Sequence, residues 1–314
     1  MEDQYNINAV TQSAENKAVN IGLTKAPYPY VTGLELKADI SLGNLTLNTI
    51  DENGVVWVCT DIEGWWGHPE PEFQELSRGL GDGSYDVRGR YAARQIVLKG
   101  VFLTPDSSYV QAARDKLVQA TDLVYKGDYL KVNEGPMKYS FVRLSGKPEI
   151  QTVNPRGRTE FSIGLRAADP IKYEWVDAGP DFYDQVDIQA KNVALSRTGT
   201  ATIINKGNTK VPVIIEITGE VTATAENPAT IKNITRDELI EVVDITTGDD
   251  VLTIDTYNRE VTYNDTTLGS RARVGILAQW IYLDPGENQI HFEDTSNASS
   301  TAVCRILFQS GWIA

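Results

Sequence analysis

The chain has 314 residues, 43 acidic against 29 basic side chains, a formal charge of −14, and only two cysteines and two histidines. That length covers about two domains, each able to bury its own core without a disulfide or a structural metal. The acidic balance, with no long basic run, argues against nucleic acid and anionic membrane as bound partners, and Cys59 and Cys304 stand in no metal-binding spacing and read as two reduced thiols.

The opening MEDQYNINAV has neither a basic stretch nor an apolar one, and no 18-residue apolar run follows, so a soluble chain without an export signal is expected. Residues 1–30, rich in Asn, Gln, Glu and Ala and closing on APYPY, read as an extended arm that cannot fold alone. From Leu34 the strand signals are dense: LELKADISL, GVVWVCTDI and SYDVRGRYAARQIVLKGVFLT, separated by Gly, Asn and Asp-Gly turns. One segment has a different period. Val110, Ala113, Leu117, Ala120 and Val124 recur at three- and four-residue steps, Asp106, Ser107 or Ser108 can cap the start, and Gly127 stands where a left-handed stop is expected, which predicts one helix over about Ser108 to Tyr125.

Strand patterns resume with DYLKV, KYSFVRLSG, TEFSIGLRAADP and IKYEW, closing a mainly antiparallel unit over residues 31–176. Alternating βα units are absent, which excludes a doubly wound sheet. Residues 177–197 are polar and weakly periodic and read as a linker. Residues 198–314 then carry short strands at near-regular spacing, from TATIIN and VPVIIEIT to ILAQWIYLDPGENQIHF and AVCRILFQ, the pattern of a β-sandwich or jelly roll. The fold class is therefore mainly β with a single helix.

Candidate chemistry is sparse. In WIYLDPGENQIHF, period-2 alternation puts Ile290 and Phe292 on one face and Gln289 and His291 on the other, and Asp284-Pro285-Gly286-Glu287 supplies a turn. This is the corner of a sheet, since His68 is the only other histidine and falls in the other predicted domain. Cys304 sits on the apolar face of the last long strand, as a small core residue. The segment EGWWGHPEPEF is the strongest remaining signal: Trp65 and Trp66, joined by Trp280 elsewhere, fit either packing or a sugar-stacking platform. Arg88, Arg90 and Arg94 fall at even spacing and are expected to share a strand face, as an interface or anion-reading row. GDGSYD is too short for a calcium loop, GLGDGSYDVRGR lacks the GK[ST] of a phosphate loop, and no nucleophile motif occurs, so no catalytic residue, cofactor or metal is assigned.

Taken in order, GVVWVCTDIEGWWG, SYDVRGRYAARQIVLKGVFLTPD, an AADP strand exit before IKYEW, TATIINKGNTKVPVIIEITG, DVLTIDTYNREVTYN and WIYLDPGENQIHF resemble the distal tail proteins of siphophages, particularly minor tail proteins of phages infecting actinobacteria. The sandwich signature is a G-x-A-x-I-x-N-x-G-N strand, a P-x-I-x-I-x-G strand and a late L-x-P-G-x-N-x-I hairpin. The resemblance implies an N-terminal "belt" domain that assembles into a homo-hexameric ring and a galectin-like C-terminal sandwich. It also implies tail-tube and tail-tip neighbours, a channel through which DNA passes unbound, and a place in the virion after assembly in the host cytoplasm. TVNPR (Thr152 to Arg156) and WGHPE (Trp66 to Glu70) do not reproduce the order of a sugar-binding galectin. Two other readings are a carbohydrate-binding module using Trp65, Trp66 and Trp280, and a cell-wall hydrolase whose carboxylate pair leaves no local signature.

Overall fold

A computed structural model describes residues 40–79, 82–154, 157–175, 183–189, 191–193, 196–221, 223–243, 250–267, 269–275, 278–294 and 301–314. The expected N-terminal arm, and LELKADISL up to Ile40, lie outside them. The chain divides into two compact units, the first ending at Trp175 and the second running from Val176 to Trp312, with Ile313 and Ala314 returning to the first.

In the first unit, antiparallel neighbours run in the order Leu45–Leu47, Ile40–Leu42, Asp128–Asn133, Met137–Leu144, Arg158–Ala167, Arg94–Leu103, Val56–Glu63, Thr49–Ile50. Glu149–Asn154 adds to Arg158–Ala167, and Lys172–Glu174 adds to Met137–Leu144. Met137–Leu144 and Arg158–Ala167 share only the pairs Arg143↔Arg166 and Leu144↔Leu165, so the path divides there into two layers. Their buried side chains form one cluster, with Leu42, Leu47, Leu130 and Val132 from one layer and Trp57, Leu98, Phe102 and Ile163 from the other. Period-2 burial along Arg94–Leu103 puts Arg94, Ile96, Leu98, Gly100 and Phe102 on that inner face.

The helix, α1, spans Val110–Ala120 after a 3-10 turn at Ser107–Tyr109. Asp106 caps that turn, its Oδ1 accepting from the Ser108 N–H at 2.6 Å. Ala113, Leu117 and Ala120 are its buried residues, in the same core cluster; a fully buried leucine such as Leu117 contributes about 1.5–3 kcal/mol. The helix stops a turn before Tyr125 because Thr121 ends it, its hydroxyl donating back to the Leu117 and Val118 carbonyls at 3.0 Å each. Gly127 is not the stop.

The second unit holds two five-stranded antiparallel sheets. One runs Asp184–Gln189, Val303–Phe308, Ile214–Thr218, Val251–Asp255, Glu260–Tyr263, and the other Lys191–Val193, Ser196–Asn205, Gly286–Asp294, Ala229–Asn233, Glu238–Val242. Burial alternates along their strands, as in Ile214–Thr218 and Ala229–Asn233, so each sheet is apolar on one face only. The linker expected over residues 177–197 is corrected here. Asp184–Gln189, Lys191–Val193 and the start of Ser196–Asn205 are sheet members, pairing by backbone hydrogen bonds that polar sequences form as readily as apolar ones.

Candidate interface site at the polar end of the first unit

Where Val56–Glu63 ends, Gly64 takes φ +76°, and a Cβ there would fall 2.0 Å from the Gln95 carbonyl oxygen, so only glycine fits. The two residues that follow have opposite fates. Trp65 is fully buried and Trp66 is 54% exposed.

Trp65 is held by a set of ionic side chains that closes this end of the core. Its indole Nε1 donates to Glu134 Oε1 at 2.6 Å, and Lys172 Nζ donates to the same oxygen at 3.0 Å and to the Trp65 carbonyl at 3.2 Å. Lys138 Nζ occupies the other carboxylate oxygen at 2.7 Å. The Lys172 ammonium also lies 4.9 Å from the Trp65 ring centroid, a cation–π contact. Arg94, 1% exposed, donates only to backbone: Pro170 O at 3.0 Å, Gly64 O at 2.8 Å, Trp65 O at 3.3 Å, Gly67 O at 2.8 Å and Ile313 O at 2.5 Å. One guanidinium thus ties together the loop 64–67, the strand exit at Pro170 and the chain's return at Ile313.

The electrostatics follow from burial and pairing. Burial works against ionising Glu134, but hydrogen bonds from Lys138, Lys172 and Trp65 outweigh it and hold the carboxyl below its ordinary range. Burial pulls the Lys172 ammonium down, with Lys138 and Arg94 adding repulsion and Glu134 opposing both. These two shifts conflict over how firmly the pair stays charged, and the geometry decides it: with two ammoniums within 3.0 Å, Glu134 is ionised, and so is Lys172. Asp169 is pushed up by burial, against the Ile171 N–H at 3.0 Å and the Tyr173 hydroxyl at 2.8 Å. Every carboxylate oxygen of Glu134 and Asp169 is engaged in a structural hydrogen bond. The arrangement orders a loop.

The spacing of the arginines predicts a shared face, and the structure corrects this. Ala92 and Ala93 interrupt the strand between Arg90–Tyr91 and Arg94–Leu103, so the alternation does not carry across and Arg94 turns into the core. Arg90 is exposed and pairs with Glu72 at 2.8 Å, and Arg88 is exposed. Trp65 likewise is out of reach of any external ligand, which leaves Trp66 with Arg88 and Arg90 outside. His68 stacks on Tyr91 with centroids 5.9 Å apart. Glu134, Lys138, Lys172 and Asp169 escape a reading of the sequence, because lysines at strand ends and a carboxylate before Gly-Pro look like ordinary solvated groups. The spacing of Glu134 to Lys138 was the one available signal.

In the second unit Gly286 has φ +88°, as the Asp-Pro-Gly turn requires. Asn288 locks the turn: its Oδ1 accepts from the Asp284 N–H at 2.9 Å and its Nδ2 donates to the Asp284 carbonyl at 2.8 Å. His291 stands opposite Thr200, with Nδ1 and Oγ1 2.9 Å apart, on the face away from buried Ile290 and Phe292. Trp280 is half-buried, with the Arg271 guanidinium 5.6 Å from its ring. Cys304 is fully buried, and burial pushes its thiol up, away from the thiolate a nucleophile needs. Among the described residues no group of three His, Cys, Asp or Glu side chains is placed to hold a metal, and no helix is long and apolar enough to cross a membrane.

Two β-rich units, the first with one helix among the described residues and an ionic cluster around Trp65, the second with a pair of five-stranded sheets, define a mainly β fold. Residues 206–312 match the family model described as the siphovirus-type tail component, C-terminal domain. Over the whole fold the chain is similar to the crystal structure of the SPP1 Dit protein, described as a paradigm of the hub adsorption apparatus in phages infecting Gram-positive hosts. The TM-score is 0.60 at 12% identity, covering 87% of this chain and 98% of that one. The phage P2 baseplate in its activated conformation with Ca also aligns, over 82% of this chain and 97% of that chain at 9% identity, with a TM-score of 0.35. A search of curated proteins found no match. The likeness to siphophage distal tail proteins carried by the sequence motifs is thereby borne out, as is the mainly β fold, with one helix among the described residues.

Proposed function

We propose that this chain is a structural virion protein of a long-tailed phage, forming a six-membered ring at the distal end of the tail that joins the tail tube to the tail tip or baseplate. The observation that carries the reading is double: a tail-component match confined to the second unit, and a fold likeness to SPP1 Dit that spans both units. The buried ionic groups around Trp65 support it, since Arg94, Glu134, Lys138 and Lys172 hold the loop 64–67 and one another. In this reading the first unit is the belt of the ring, the second a galectin-like sandwich facing outward, and DNA passes the lumen without being held, as a net charge of −14 favours. The chain carries no enzymatic activity and is assembled in the host cytoplasm. Immunogold labelling of intact virions tests the placement: gold at the tail end remote from the capsid is expected, and label along the tube, on the capsid or nowhere on the particle contradicts it.

A further inference from the structure

The turn that joins Thr49–Ile50 to Val56–Glu63 begins Asp51-Glu52-Asn53-Gly54 and holds the only Asn-Gly step in the chain. Gly54 takes φ +73°, and its N–H donates to the Asp51 carbonyl at 2.9 Å, the bond that closes the turn. Asp51 organises the rest. Its Oδ1 accepts from the N–H groups of Asn53 and Val55, both at 3.0 Å, and its Oδ2 from Trp57 Nε1 at 3.0 Å and Lys116 Nζ at 3.1 Å. A single carboxylate therefore links an exposed turn to a fully buried tryptophan and to α1.

Asn53 itself is exposed, and among the described residues its side-chain amide has no hydrogen-bond partner. Elsewhere such amides are engaged: Asn48 Oδ1 accepts from the Cys59 N–H, Asn264 Nδ2 donates to Asp250, and Asn205 and Asn288 donate to backbone carbonyls. The residue after Asn53 also has no side chain to keep its nitrogen away from the Asn53 Cγ. A Cβ built at position 54 would meet only Pro105 Cγ, at 3.7 Å, so the space around this step is open.

We propose that Asn53-Gly54 is a self-modifying site, where the chain turns an amide into an acid without an enzyme and thereby loosens the Asp51 link. The Gly54 nitrogen gives its proton to solvent hydroxide and attacks Asn53 Cγ. The new N–Cγ bond closes a cyclic imide as the Cγ–Nδ2 bond breaks, and Nδ2 leaves as ammonia with a proton taken from water. Water then adds to either ring carbonyl and opens the imide, leaving aspartate or isoaspartate at position 53. Nothing is oxidised or reduced; the net change is one water consumed and one ammonia released. The hydrogen bond from Gly54 to the Asp51 carbonyl has to open first, so local opening of the turn gates the rate. Isoaspartate adds a methylene to the backbone, after which the N–H groups of Asn53, Gly54 and Val55 no longer meet Asp51 together, and the anchor of Trp57 and Lys116 is loosened with them.

The full chain is to be aged in mildly alkaline buffer and sampled by peptide mass mapping, with isoaspartate counted by isoaspartyl methyltransferase labelling. The peptide carrying Asn53 should gain the mass of amide-to-acid exchange before any other asparagine peptide, and should separate into aspartate and isoaspartate forms. Gly54→Asn, whose side chain tolerates the left-handed φ, should slow conversion at position 53 at least about tenfold, because a side chain there narrows the approach of the nitrogen. Asn53→Gln, whose longer side chain disfavours the cyclic imide, should stay unconverted. Aged unsubstituted chains should unfold earlier in denaturant than fresh ones by tryptophan fluorescence, and aged Asn53→Gln chains should not. Another asparagine converting first, or equal rates with and without Gly54, overturns the site. Conversion at position 53 that leaves the unfolding transition unmoved overturns the link to Asp51.

Discussion

The two units solve the same problem with different chemistry. Each is built of antiparallel strands whose alternate side chains fill an apolar interior, and each must satisfy the polar groups trapped where strands turn. In the first unit the buried polar side chains include ions, Arg94, Lys138 and Lys172 around Glu134, with Asp51 taking Trp57 Nε1 at 3.0 Å and Lys116 Nζ at 3.1 Å. In the second they are mostly neutral: Asn205, Asn233, Asn288, Thr256, Ser270 and Ser310. Asn205, Asn233 and Asn288 all donate to backbone carbonyls of other turns or strands. A neutral amide costs little to bury once paired, whereas a buried ion is strongly destabilising as soon as its partner is removed. The ionic end of the first unit is therefore the part of the molecule with the narrowest tolerance.

That contrast breaks most sharply at Glu134. Glu134→Ala leaves the ammoniums of Lys138 and Lys172 without their carboxylate and should cost about 3–5 kcal/mol, read as an early transition in denaturant by tryptophan fluorescence. Four tryptophans, Trp57, Trp65, Trp66 and Trp175, belong to this unit, so the probe is weighted toward it. A loss below about 1 kcal/mol would mean the lysines find other partners.

Acid sharpens the same difference. Glu134 and Asp51 are held below their unfolded values, so the stability they contribute is present above roughly pH 4 and is lost as pH falls through their folded values. Asp169, raised by burial, has the opposite sign and offsets part of this, its contribution fading as pH rises through its folded value. The first unit should unfold at higher pH than the second on acid titration, and Glu134→Gln should flatten its profile. A first unit that outlasts the second in acid contradicts the assignment. The smallest effect belongs to the second unit, where Asn288→Ala strips the Asp284–Gly286 turn of its lock and should cost about 1–3 kcal/mol with no change in pH dependence.

What the sequence showed and what it hid follow the same division. Strands with period-2 alternation, such as Ile214–Thr218 and Val303–Phe308, are legible, as are the Asp106 cap of the 3-10 turn leading into α1 and the Asp284-Pro285-Gly286 turn, because these depend on neighbours in the chain. The buried ions were not. Trp65 meets Glu134 across 69 residues and Lys172 meets Trp65 across 107, so only tertiary structure turns those lysines inward. The strands Asp184–Gln189 and Lys191–Val193 are missed because only Val186 and Ile188 alternate among polar neighbours, a run too short to stand out, and the arginine row fails on two alanines that break the strand. EGWWGHPEPEF was visible as a site, but not that one tryptophan is sealed inside while the other faces out.

The proposed ring-forming role is open to direct test. Native mass spectrometry of the purified full chain tests it most directly: a closed assembly of six copies is the result expected, and a chain that stays monomeric at high concentration would contradict the account.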